Sequence, residues 1–99
     1  MSVMVIGKFS GDTAKFRASL TERASEYEKW GAAAKAAGGI HHRFAVGDGY
    51  VVIVDEWESV AAFEKFFSSP ELQAFVGSIG AAGAPEMIVA EAVASPDQY

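Results

Sequence analysis

Two adjacent histidines and a nearby acidic–aromatic pair are the residues of this chain best suited to chemistry. His41 and His42 are its only imidazoles, and an imidazole titrates near neutral pH, so either can act as a general base. Asp55 and Trp57 are two residues apart, so they share one face of an extended strand. Asp55 can serve as a second acid–base group. The Trp57 indole N–H can donate a hydrogen bond to a phenol or quinone oxygen.

Each of these residues also has a structural interpretation. Trp57 can close the end of a core, and either histidine can be satisfied by local hydrogen bonds. Asp55, if buried, needs a partner, and we expect Arg43 on the neighbouring strand to form that ion pair. Adjacent strand residues point to opposite faces, so His41 and His42 cannot both serve one pocket. For the same reason, and with no third ligand nearby, they predict no metal site.

Composition excludes several classes of function. The chain has 99 residues and no cysteine, which predicts one domain over residues 1–99 and excludes disulfides and thiolate chemistry. A net charge of -5 disfavours nucleic acid and anionic membranes as partners. No run reaches the roughly 20 apolar residues of a membrane span, and the N-terminus lacks the pattern of a signal peptide. We therefore expect a cytoplasmic protein.

The stretch from Gly49 to Ser59 predicts a strand that leads directly into a helix. One face carries Val51, Ile53, Asp55 and Trp57, and the other carries Tyr50, Val52, Val54 and Glu56. Both faces are apolar for most of their length, which is typical of a strand that is covered on both sides. Asp55 and Trp57 lie at the end of the strand, where a cleft usually opens.

Turn and cap signals predict the remaining elements. Further strands are expected over Val3–Phe9, Ile40–Val46 and Glu86–Val93, with Ile40, His42, Phe44 and Val46 on one face of the second. A single helix is expected from a cap at Ser10 or Asp12 to about Ala37, ended by Gly38-Gly39. Gly47-Asp48-Gly49 predicts a hairpin. Ser59 and Ser69 are expected to cap two later helices, followed by a loop over Gly77 to Pro85 with few anchors.

The order βαββαβ predicts an α+β, ferredoxin-like fold, in which a four-stranded antiparallel sheet carries its helices on one face. The other face of the sheet is also apolar, and no third layer remains in the chain to cover it. At about 25 cal/mol per Å² of apolar surface, leaving it wet would forgo several kcal/mol. We therefore expect a homodimer whose sheets pack face to face, a dimeric α+β barrel.

One region of the sequence resembles a known family. Asp55-Glu56-Trp57-Glu58-Ser59, followed by Ala62-Phe63, Phe66-Phe67 and Ser69-Pro70-Glu71, is similar to the antibiotic biosynthesis monooxygenase-like group of dimeric α+β barrel proteins. The resemblance extends over Val3 to Val93. It implies one ligand pocket per subunit, between the helices and the sheet, and it places Trp57 beside the ligand.

The implied pocket would have an aromatic wall, which suits a flat apolar ligand. The wall would comprise Phe9, Phe16, Tyr27, Trp30, Trp57, Phe63, Phe67 and Phe75. The alternative is that these side chains fill a core, as apolar residues at helical spacing usually do.

The group includes haem-degrading oxygenases, and the sequence argues against that branch. Those enzymes carry an iron-ligating histidine on the second helix, whereas this chain has none between Ser59 and Gly80, where Gln73 and Phe75 stand. The chain also contains no asparagine, although both the haem-degrading and the cofactor-free branches use one. We therefore expect no cofactor.

Three functions remain open from the sequence. The first is a small-molecule-binding homodimer that acts as a cofactor-independent monooxygenase on phenolic or polycyclic aromatic substrates, with His41 or His42 as base and Trp57 as donor. The second is a non-catalytic dimer with a binding or stress-related role. The third is an isomerase or cyclase of the same fold.

Overall fold

The fold consists of eight elements, and the first and third strands pair at the centre of the sheet. A computed structural model describes all 99 residues. The elements are β1 (Val3–Ser10), α1 (Thr13–Glu22), α2 (Ala24–Ala36), β2 (Gly39–Val46), β3 (Tyr50–Trp57), α3 (Val60–Phe67), α4 (Pro70–Ser78) and β4 (Glu86–Glu91). The strands form one antiparallel sheet in the order β2-β3-β1-β4. The predicted ferredoxin-like α+β fold is confirmed.

Strand β3 shows the alternation that its sequence predicts. Val51, Ile53, Asp55 and Trp57 are buried, and the four residues that alternate with them are half-buried. The buried set faces the helices, where Trp57 packs with Val3, Val5 and Phe63, and Val51 packs with Phe16, Phe75 and Ile79. The inner face of the sheet is therefore divided between two apolar clusters.

Side-chain caps start three of the helices. The Asp12 carboxylate accepts a hydrogen bond from the backbone N–H of Lys15 at 3.0 Å, so Asp12 rather than Ser10 caps α1. Ser59 accepts from the N–H of Ala62 at 3.1 Å, which confirms it as the cap of α3. Ser69 accepts from Leu72 at 3.4 Å and confirms the start of α4.

The single helix predicted up to Ala37 is wrong, because the chain breaks at Arg23. This residue has φ −123° and ψ 32°, outside the helical region, and separates α1 from α2. A straight helix from Thr13 to Ala36 would span about 36 Å, whereas an eight-residue strand spans about 26 Å. The break lets both segments stay over the sheet.

The outer face of the sheet carries no helix and is apolar at its centre. Ile6 lies between Val54 on β3 and Ile88 on β4 in the strand register. Ile6 is 39% exposed and Ile88 is 61% exposed. The subunit therefore leaves apolar sheet surface in water, and the homodimer expected from this surface stays a prediction.

Candidate functional site

A cavity of about 600 Å³ lies between the helices and the inner face of the sheet. Its size falls within the roughly 300–1,000 Å³ typical of small-molecule sites. The aromatic residues predicted for the ligand wall all border it: Phe9, Phe16, Tyr27, Trp30, Trp57, Phe63, Phe67 and Phe75. Four of them, Phe16, Trp57, Phe63 and Phe75, also belong to the buried apolar clusters, so they border the cavity and pack the core.

Phe44 is a wall residue that the ligand-wall prediction did not include. Its ring meets those of Phe16, Tyr27 and His42 edge-on, with centroids 5.0, 6.1 and 4.6 Å away. Phe44 therefore joins helix α1, helix α2 and strand β2 at the floor of the cavity. The sequence does indicate this position, because Phe44 is two residues from His42 and therefore lies on the same face of the strand.

Phe66 is a second phenylalanine of the cavity wall outside the predicted set. Its ring lies 5.2 Å from Trp57 and 6.1 Å from Trp30, measured between centroids. It follows Phe63 by three residues, which places both on one side of α3. Phe66 thereby connects the indole on β3 to the indole on α2.

The polar centre of the cavity consists of His42, Asp55 and Trp57. The Nδ1 atom of His42 is 2.5 Å from Oδ1 of Asp55. The Nε1–H of Trp57 donates to Oδ2 of the same carboxylate at 3.2 Å. Asp55 is 6% exposed and Trp57 is 2% exposed, whereas the His42 side chain is 49% exposed. One buried carboxylate thus holds an accessible imidazole.

The expected ion pair between Asp55 and Arg43 is wrong. Arg43 lies opposite Val54, whereas His42 lies opposite Asp55. Successive strand residues point to opposite faces, so Arg43 stands on the outer face while His42 reaches the carboxylate. Counting outward from the hairpin turn, where Val46 pairs with Val51, gives the same result.

The Trp57 N–H is not free for a ligand oxygen, contrary to the predicted donor role. Its one donor hydrogen is committed to Asp55, and an indole has no other. Trp57 borders the cavity through its ring. The residue therefore contributes apolar surface to a ligand and a hydrogen bond to the carboxylate.

His41 and His42 face opposite sides of the sheet, as their adjacency predicts. His41 pairs with Glu56 on the outer face, yet it borders the cavity as His42 does, so the expectation that only one of them reaches the pocket is wrong. Of the two imidazoles, His42 is the one bonded to the polar centre.

A β-bulge precedes the histidines. The register shifts between Gly39, which pairs with Trp57, and His41, so Ile40 is an extra residue and the predicted alternation fails there. A Cβ on Gly39 would lie 2.9 Å from the carbonyl oxygen of Ala34. Only glycine lets the end of α2 approach β2 this closely, and a bulge beside the site re-aims the strand.

Tyr27 is a further polar residue on the cavity wall, and its hydroxyl has a partner inside the fold. Its oxygen is 2.6 Å from Oγ of Ser19, whose single proton goes to the carbonyl of Phe16 at 2.5 Å. Tyr27 must therefore donate to Ser19. Burial raises the pKa of Tyr27 above its ordinary value of 10.0, against the opposing effect of the Ser19 hydrogen bond. Tyr27 is neutral at pH 7 and is not a base there.

The loop after α4 closes one end of the cavity and has more anchors than predicted. The N–H of Asp12 donates to Gly80 at 3.0 Å, and the N–H of Ala82 donates to Ser10 at 2.8 Å. Gly80 has φ +113°, and a Cβ there would lie 2.6 Å from the carbonyl oxygen of Asp12. Glycine is required at this contact.

Two other features bear on function. No three His, Cys, Asp or Glu side chains are close enough together to hold a metal ion. No helix has the length and apolar content that crossing a membrane requires.

Residues 3–78 match the sequence model of the family described as Antibiotic biosynthesis monooxygenase. The chain belongs to this family. The family match covers β1 to α4 and includes His42, Asp55 and Trp57. No curated protein matches the chain in sequence.

Solved structures related to this antibiotic biosynthesis monooxygenase domain share its fold at low identity. SnoaB, a cofactor-independent oxygenase from Streptomyces nogalater, is 15% identical with a TM-score of 0.60, covering 98% of each chain. The ActVA-Orf6 monooxygenase of Streptomyces coelicolor, in complex with nanaomycin D, is 16% identical with a TM-score of 0.67, covering 98% of this chain and 93% of that one. A putative family member from Nitrosomonas europaea is 9% identical with a TM-score of 0.68, covering 93% and 90%.

Proposed function

We propose that the protein is a cofactor-independent monooxygenase that binds a phenolic or polycyclic aromatic substrate in the 600 Å³ cavity. The observation that carries the proposal is His42, an accessible imidazole that borders a mainly apolar cavity and is bonded to the buried Asp55 carboxylate. Apolar walls with few polar groups are typical of small-ligand sites. SnoaB, a cofactor-independent oxygenase, supports the class of reaction, and the nanaomycin D complex of ActVA-Orf6 supports a small-molecule ligand.

The proposed reaction needs only substrate, dioxygen and a base. His42 removes a proton from the substrate, and the resulting electron-rich anion reduces dioxygen. A methylene group is oxidised to a carbonyl: one oxygen atom enters the substrate, and the other leaves as water with the two hydrogens. The protein contributes a fixed orientation, a base and a mainly apolar cavity.

We further propose that the protein works as a homodimer. Ile6, Val54 and Ile88 form an apolar strip across β1, β3 and β4 on the outer face. An exposed apolar face of a sheet usually marks an interaction site. A second copy supplies the same strip, so a symmetric pair buries both at once. The single domain proposed for residues 1–99 is the unit that pairs.

The direct test is oxidation of an anthrone-type substrate in air. The purified protein should consume one dioxygen per substrate and produce the quinone, which is followed by absorbance. With ¹⁸O₂, one labelled atom should appear in the product. If the substrate binds but no oxygen is consumed, the proposal of monooxygenase activity is overturned.

A non-catalytic binding protein is the second candidate. The observation that favours it is the commitment of the Trp57 N–H to Asp55, which leaves no indole donor to stabilise a developing anion in the cavity. In that case aromatic ligands should raise the melting temperature, and no substrate should turn over.

A further inference from the structure

Asp55 is placed to control the protonation pattern of His42. A carboxylate only accepts hydrogen bonds, so the contact between its Oδ1 and Nδ1 of His42 requires a proton on Nδ1. In a neutral imidazole the other nitrogen, Nε2, is then an acceptor. Nε2 of His42 has no partner in the protein, and the ring borders the cavity.

Trp57 donates a hydrogen bond to the second oxygen of the Asp55 carboxylate. Its N–H reaches Oδ2 of Asp55 at 3.2 Å, and both residues are buried. With one oxygen fixed by an indole that has a single donor, the carboxylate cannot rotate without losing a buried hydrogen bond. Because Phe63 and Phe66 pack against the Trp57 ring, the indole is itself fixed.

We propose that Asp55 and Trp57 are positioning residues that act through His42, and that they make the cavity select ligands with a hydroxyl donor over ligands with only acceptors. This inference rests on the proposed function, since it concerns the same site. It assigns Nε2 of His42 as the acceptor for a phenol or enol hydroxyl. A quinone carbonyl, which is only an acceptor, finds no donor at this position.

The same arrangement favours proton transfer and product release. The ligand O–H bond breaks, an N–H bond forms at Nε2, and the electron pair stays on the ligand oxygen. The Asp55 charge then stabilises the imidazolium, as a buried carboxylate does for a catalytic histidine. An anthrone-type substrate bound as its enol is held at His42 by that hydroxyl, whereas the quinone product has a carbonyl there and is not.

The tautomer can be measured in the ligand-free protein by NMR of ¹⁵N-labelled imidazoles. The signals of the two histidines are distinguished with His41→Gln. We expect His42 to carry its proton on Nδ1. Asp55→Asn should remove this preference, because the amide has only one acceptor oxygen for the two N–H donors of Trp57 and His42. Asp48→Asn, the same change in an exposed turn, should leave the His42 signals in place.

Trp57→Phe should shift the His42 signals, whereas Trp30→Phe, a matched loss of an indole without a bond to Asp55, should not. A proton on Nε2 in the wild type, or an Asp55→Asn spectrum equal to the wild type, would overturn the role of Asp55. An unchanged spectrum in Trp57→Phe would remove Trp57 from the proposal. None of these results depends on turnover.

The ligand class is tested with 1-naphthol and 1-methoxynaphthalene, which differ in the hydroxyl donor. Tryptophan fluorescence should show about tenfold tighter binding of the naphthol, the size of one hydrogen bond. The difference should vanish in Asp55→Asn. Equal affinities in the wild type would overturn the selectivity. If neither compound binds, the aromatic-ligand proposal fails, and the tautomer measurement still decides the positioning role.

Discussion

His42 and Phe44 lie two residues apart on β2, with ring centroids 4.6 Å apart and ring planes at 83°. The candidate base is thus set edge-on against the floor of the cavity. Aromatic pairs of this kind contribute about 0.5–1.5 kcal/mol beyond their buried area. The orientation of the imidazole and the shape of the apolar wall are therefore coupled through Phe44.

Phe44→Leu should lower kcat as well as affinity, because it removes the ring against which His42 rests. Phe9→Leu is the matched control, since Phe9 borders the cavity and its ring meets that of Phe67 but not those of His42 or Trp57. It should weaken binding with kcat nearly intact. Both should lose roughly 1–3 kcal/mol of unfolding free energy. Steady-state kinetics check the split, and equal effects on kcat would contradict it.

His42→Gln should lower the turnover of an anthrone-type substrate by about 10²–10⁴-fold, the usual contribution of a general base. His41→Gln makes the same change one residue away on the outer face, and we expect a far smaller loss. Circular dichroism of both variants controls for folding. Comparable losses, or a larger loss in His41→Gln, would show that His42 is not the base.

Tyr27 should make the folded state sensitive to alkaline pH. Its folded pKa is raised above 10.0 chiefly by burial, so the folded protein holds the phenol proton more tightly than the unfolded chain does. This stability is fully present below pH 10 and is lost as the pH rises through the folded pKa. Tyr27→Phe removes the phenol and should abolish this component.

The measurement is urea denaturation at several pH values between 8 and 11. The wild type should lose more stability over that range than Tyr27→Phe. At pH 7 the variant should differ little, because Ser19 keeps its bond to the carbonyl of Phe16. Parallel pH curves for the two proteins would rule out Tyr27 as the titrating group.

The parts of the fold that the sequence predicts well depend on short-range patterns. The alternation in β3 and the caps at Ser59 and Ser69 each involve residues within a few positions of each other. The break at Arg23 carries no glycine or proline signal. It comes from packing: Arg23 bonds to Ser78 at 2.5 Å and lies over the Phe75 ring, both distant in sequence.

The candidate site was predictable only in part for a similar reason. The grouping of Asp55 with Trp57 follows from their spacing on one strand. The partner of Asp55 depends on the register between two strands, and a shift of one residue exchanges Arg43 for His42 and changes the face. The hydrogen bond from the Trp57 N–H to Asp55 depends on side-chain geometry, which a pattern of residue types cannot predict.

The apolar strip on the outer face should hold two subunits together. Ile6→Glu places a charge between Val54 and Ile88 and should produce monomers, because a charge is costly to bury. Val60→Glu is the control: Val60 is 40% exposed at the start of α3, where an acidic residue is tolerated. Sedimentation at micromolar concentration should show dimers for the wild type and the control. A monomeric wild type would contradict the dimer.

Gly39 and Gly31 should respond in opposite directions to alanine. A Cβ at Gly39 would lie 2.9 Å from the Ala34 carbonyl oxygen, whereas nothing lies within 4 Å of one at Gly31. Gly31→Ala, inside α2, should stabilise the protein by about 0.5–1 kcal/mol through helix propensity. Gly39→Ala should destabilise it by about 1–3 kcal/mol, because the end of α2 must move away from β2. Urea denaturation measures both, and a neutral Gly39→Ala would show that the bulge before His41 tolerates a side chain.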